Sequence, residues 1–105
     1  MTFAVEVSNA AVEDLERLFD FALQREVDSE AGDLDIPERA IQAIKDGVAF
    51  LRSSPFACRK IGNSPFHREL IIQFGNTGYV ALFEIVDGHT IIIGAIRHQR
   101  EDDCH

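Results

Sequence analysis

The spacing of hydrophobic positions changes along the chain, and each change marks an element. Phe3, Val5 and Val7 alternate with Ala4 and Glu6, which predicts a short first strand with one face turned inward. Ser8 then stands where a helix N-cap belongs, since its hydroxyl can accept a hydrogen bond from a first-turn amide. From Asn9 the spacing becomes helical: Val12, Leu15, Leu18 with Phe19, Ala22 with Leu23, and Val27. Charged residues fill the other faces, and Glu13 and Asp14 lie near the start, where they suit the helix dipole. The pattern predicts a helix of about five turns. Residues 28–35 are polar, contain Gly32 and read as a connector. A second helix is predicted to open at Asp35, with Asp35 as the capping residue, Pro37 early and Glu38 three positions on. Its stripe is Ala40 with Ile41, Ile44, Val48 and Leu51, and Ser53-Ser54-Pro55 ends it. Gly47 inside this helix costs about 1 kcal/mol relative to Ala, so a close contact is expected there.

The second half changes character. Residues 56–67 show no period and are expected to form an ordered surface loop, anchored in the core by Phe56, Ile61 or Phe66. Three β-branched apolar runs follow, at 70–74, 79–86 and 90–96, separated by Gly75-Asn76-Thr77-Gly78 and by Asp87-Gly88. Glycine and asparagine tolerate the backbone of tight hairpins, so these runs predict an antiparallel meander. The expected fold class is therefore α+β: an N-terminal strand, an αα-hairpin, then a three-stranded meander with the helices on one face of the sheet. The last two runs are apolar at both parities, so the opposite sheet face is expected to be covered by something else, such as a partner chain.

Composition narrows the class. The chain has 105 residues, 46% hydrophobic and 27% charged, which suits one globular domain spanning 1–105 and excludes wholesale disorder. The start, MTFAVEV, lacks a basic stretch followed by an apolar one, and no apolar run approaches the ~20 residues of a membrane helix. A cytoplasmic protein with no membrane association is expected. Cys58 and Cys104 are then expected to be free thiols. Neither Cys58 with His67, nor Cys104 with His98 and His105, has the spacing of a metal site, so neither metal nor cofactor is expected.

Charge is unevenly placed. The net charge is −8; residues 1–54 hold 12 acidic and 5 basic side chains, residues 55–100 hold 3 acidic and 5 basic, and 101–105 add three acids. The helical half is acidic and the sheet half mildly basic, so a polyanion would be met only from the sheet side. The last predicted strand runs into Arg97, His98, Gln99 and Arg100, a polar cluster at the end of an apolar run.

The order of elements resembles the RelE/ParE superfamily of bacterial toxins. The resemblance is carried by Ser8, Ala11, Asp14 and Leu15 at the first helix, by Arg68-Glu69-Leu70, by residues 78–85 (GYVALFEI), and by residues 96–101 (IRHQRE). It implies a toxin of a type II toxin–antitoxin pair, of the plasmid-stabilisation kind. Its cognate antitoxin would be ParD-like or of another ribbon-helix-helix type, wrapping the toxin with an extended segment that meets Leu15, Phe19, Ile44, Val48 and Tyr79. The complex would be a homodimer or a toxin–antitoxin hetero-oligomer. Two targets are implied: RelE-like members cut messenger RNA on the ribosome, and ParE-like members poison DNA gyrase; a non-toxic interaction module of the same fold is the third reading.

RNA cleavage through the 2′-hydroxyl needs a proton acceptor, a cation at the phosphate and a proton donor for the leaving oxygen. His98, with Arg97 and Arg68, would be the catalytic candidates, since histidine is the residue whose ordinary pKa suits the exchange. Against this stand the lack of a tyrosine after His98, the acidic Glu101-Asp102-Asp103 and the overall charge. These favour the gyrase poison, in which Arg59, Lys60, Arg97, His98 and Arg100 would form a target-binding epitope.

Overall fold

A computed structural model describes residues 2–30, 32–75 and 77–99. The chain forms β1 (Ala4–Val7), α1 (Asn9–Asp28), α2 (Asp35–Leu51), a 3-10 turn (Pro55–Ala57), β2 (Arg59–Ile61), β3 (Ser64–Phe74), β4 (Thr77–Ile85) and β5 (Thr90–His98). One sheet has the order β1-β5-β4-β3-β2, with β1 parallel to β5 and every other pair antiparallel. The α+β class, the N-terminal strand, the helical hairpin and the meander match the expected architecture. The sheet is larger than the expected three-stranded meander. Among the described residues, no helix is long and apolar enough to cross a membrane.

Segment 56–67 is where the sequence reading fails. It is not a loop: β2 pairs with the front of β3, Arg59 opposite Glu69 and Lys60 opposite Arg68. Gly62 turns the pair at φ 65°, a left-handed backbone that other residues rarely adopt. Strand pairing supplies the order that the local pattern lacks. Phe56 and Phe66 are about half exposed, so neither anchors the core; within the segment Cys58 is buried and Ile61 is half-buried.

The helices meet the sheet through one face. Leu70, Ile72 and Phe74, then Tyr79, Ala81, Phe83 and Ile85, then Ile91, Ile93 and Ile96 pack beneath Ala11, Leu18, Ala40, Ile44 and Leu51. Gly47 sits at the expected close approach: a Cβ there would lie 2.8 Å from Ile72 Cγ1 and 3.2 Å from Leu70 Cδ2. Ser8 caps α1 as read, its Oγ accepting from the Ala11 amide at 3.1 Å. Asp35 is not the cap of α2. It is the first helical residue, and Asp33 Oδ1 accepts from its amide at 2.9 Å. Asp14 also has a different job from the one expected. Its Oδ2 accepts from the Ile96 amide at 3.0 Å, beyond the point where β1 stops pairing with β5. The β4–β5 hairpin forms at Asp87-Gly88, where Asp87 Oδ1 accepts from the His89 amide at 2.7 Å and closes the turn.

Candidate functional site

Alternation along a strand decides where the rim residues lie. Successive side chains point to opposite faces. Arg97 stands opposite Val80 on the open face, whereas His98 stands opposite Tyr79 on the helix face. The cluster read from sequence is thus divided by the sheet itself, and Arg100 lies outside the described residues. Arg59 sits on the edge strand β2, three strands from Arg97, which is about 15 Å at ordinary strand spacing. Arg59 is held by an ion pair with Glu69. Lys60 is exposed on the same edge strand, and Arg97 is exposed on the open face.

Arg68 is engaged by the backbone. Its Nε donates to the Pro65 carbonyl at 2.8 Å, and its Nη1 donates to the Phe56 and Cys58 carbonyls at 2.9 and 2.7 Å. Its guanidinium also lies 5.0 Å over the Phe56 ring. This geometry clamps 55–58 onto β3. Burial pushes the Cys58 thiol up from its ordinary 9.0, with the Arg68 charge partly opposing. Among the described residues, no group of three or more His, Cys, Asp or Glu side chains could hold a metal ion. Cys104 and His105 lie outside the described residues.

On the helix face, His98 meets Tyr79 edge-on, ring centres 5.5 Å apart at 85°. The two rings join Phe21, Arg25 and Phe74 around a cavity of about 350 Å³ at the open end of the hairpin–sheet sandwich. Burial raises the Tyr79 hydroxyl above its ordinary 10.0, while the Arg25 charge lowers it. Phe21 and Arg25 are not among the residues expected at a site. One signal was present: an aromatic on the polar side of α1, four residues before a cation.

The residues read as antitoxin contacts also separate. Leu15 and Phe19 line a groove of about 560 Å³ between α1 and α2, with Ile41 facing them. Ile44 and Tyr79 are 1% and 7% exposed and belong to the core, and Val48 is half-buried against it. The open sheet face carries Ile71, Leu82 and Ile92 among Arg59, Glu69, His67, Glu84 and Arg97. A shallow hollow over Ile61, Leu82 and Ile92 is bounded by His67 and Glu84, whose side chains approach to 3.6 Å.

Comparison with known proteins completes this geometry. A family model described as the ParE toxin of the type II toxin–antitoxin system parDE matches residues 5–103. The chain belongs to this family. Among solved structures, the chromosomal ParDE toxin–antitoxin system from P. aeruginosa is similar at TM-score 0.70 and 18% identity, covering 92% of this chain and 96% of that one. The toxin–antitoxin complex RelBE2 from Mycobacterium tuberculosis is similar at TM-score 0.56 and 22% identity, covering 93% and 99%. At such identities these likenesses speak for the fold. Among curated sequences none matches. The chain is a toxin of a type II toxin–antitoxin system, of the ParE/RelE family.

Proposed function

We propose that this ParE-family toxin acts by binding DNA gyrase rather than by cutting RNA, and that a cognate antitoxin holds it inactive. The supporting observation is the division of the candidate catalytic group. A phosphodiester cleavage site needs its proton acceptor, cation and proton donor gathered on one phosphate. Here Arg97 and His98 lie on opposite faces of the sheet. Arg68 is engaged by three main-chain carbonyls. A protein target asks for no such convergence, only for a shaped surface with matched charge. The open sheet face offers one, with Arg59 and Arg97 as its cations, while Lys60, opposite Arg68, shares the register of the helix face at the sheet edge. An antitoxin segment would lie along the helical hairpin, where Leu15 and Phe19 are accessible.

The test is inducible expression of the lone chain in a bacterium, with purified gyrase assayed in parallel for supercoiling and cleavage. Filamentous cells with intact messages and a stalled gyrase are expected. Arg97→Glu is expected to weaken toxicity, whereas His98→Ala should leave it within about twofold if the protein stays folded. Cleaved messages with unaffected gyrase would overturn the reading, as would unimpaired growth.

A further inference from the structure

The cavity at the open end of the hairpin–sheet sandwich has a buried floor and an open mouth. Leu18, Ala40 and Tyr79, which line it, are 5%, 3% and 7% exposed. Phe21 stands at the mouth with 69% of its surface exposed, and Arg25, one turn further along α1, is exposed beside it. Side-chain packing seldom leaves a gap larger than one water molecule, and this cavity holds about 350 Å³. That volume falls within the ~300–1,000 Å³ of small-molecule sites, which are mostly apolar with a few polar groups that set orientation.

Rings and charge together select the guest. Phe74 and Tyr79 lie 6.3 Å apart at 37°, and His98 meets Tyr79 edge-on. With Phe21 at the mouth, the walls offer ring faces and edges to a flat apolar group. Among the described residues, Arg25 makes no hydrogen bond or ion pair, and its charge is felt at the Tyr79 hydroxyl. Glu26 also borders the cavity, but its Oε1 accepts from the Asp33 amide at 3.0 Å in the connector. A guanidinium at the rim of an aromatic slot suits a carboxylate, whose two oxygens match its planar fork.

From this we infer that the cavity binds a small aromatic carboxylate, its ring held among Phe21, Phe74 and Tyr79 and its carboxylate on Arg25. An aromatic cation would meet Arg25 as a like charge. An inorganic anion would leave the rings without a guest, and a neutral aromatic would leave the guanidinium without one. A free acid carries this chemistry, and so does the C-terminal phenylalanine of a peptide. The inference concerns a different part of the molecule from the open sheet face and stands independently of the gyrase reading.

The chain has one tyrosine and no tryptophan, so the tyrosine ring signals in an NMR titration report on this cavity directly. With 3-phenylpropionate as the probe, the Tyr79 signals of the full chain should move and half-saturate at about 1 mM, an ordinary affinity for so small a ligand. The neutral 3-phenylpropionamide should bind about tenfold more weakly, since it gives Arg25 no charged partner. Arg25→Gln replaces an exposed side chain and should keep its fold by circular dichroism, yet weaken the acid about tenfold while leaving the amide within about twofold. Phe21→Ala should weaken acid and amide alike, by about threefold to tenfold. Tyr79 signals that stay still up to about 10 mM acid, equal binding of acid and amide, or binding of the acid that survives Arg25→Gln would each refute the inference. A peptide ending in a free C-terminal phenylalanine then separates the sources. Tighter binding than the acid assigns the site to a protein end, and weaker binding assigns it to a free acid.

Discussion

At the scale of the residue, three positions do work that their local sequence does not announce. Arg68 gathers three carbonyls from a segment that otherwise has little to hold it. Arg68→Ala is expected to lower stability by about 2 kcal/mol in urea unfolding, the range for hydrogen bonds involving a charged group. Arg68→Lys should recover less than half, because an ammonium lacks the planar fork that reaches several acceptors. Gly47 balances two opposed terms. Alanine would add about 1 kcal/mol of helix propensity, but a methyl 2.8 Å from Ile72 Cγ1 forces repacking, typically at about 1–3 kcal/mol. The second term wins, and Gly47→Ala should lower the urea midpoint. Cys58 has the third role. Its thiol pKa is raised by burial above the ordinary 9.0, so the folded state keeps a proton that the unfolded state releases. That contribution is complete below pH 9.0 and is lost as pH rises above it. Tm should therefore fall above pH 9, and Cys58→Ala should flatten part of that fall in thermal melts recorded across the alkaline range.

At the scale of the element, the junction of α1 with β5 is decided by hydrogen bonds across the chain. β1 covers the β5 edge only as far as Ile93. Past that point Ser8 Oγ donates to the Gly94 carbonyl at 3.3 Å, and Asp14 accepts from the Ile96 amide at 3.0 Å. Asp14→Ala would leave that amide without its acceptor, costing about 1–3 kcal/mol. Hydrogen exchange at Ile96 should then speed up, while Asp14→Asn, which keeps an acceptor oxygen, should stay near the parent rate. The helices themselves were readable, because their apolar residues recur at three and four and Ser8 caps the first. β2 was not readable. Its three residues carry two charges, and they become a strand only because β3 offers them an edge.

At the scale of the whole molecule, charge and shape are segregated. The helical half is acidic, with 12 acidic and 5 basic side chains over residues 1–54, whereas residues 55–100 hold 3 acidic and 5 basic. Net self-repulsion follows from −8 in 105 residues. Raising NaCl from 10 mM to 0.5 M should therefore raise Tm by a few degrees in a scanning melt, since screening relieves repulsion between exposed carboxylates.

By itself the sequence determined the elements whose cause is local: the first strand, both helices, the three long strands and the asymmetry of charge. Periodicity is a property of neighbours, and so it can be read from neighbours. The tertiary structure decided what depends on partners far along the chain. It turned 59–66 into a hairpin, placed Arg68 under a web of carbonyls and set Asp14 against Ile96. It also divided Arg97 from His98. Adjacent residues at a strand end look like one cluster on paper, but the pleat points them to opposite faces, and the packed helices make one of those faces the interior.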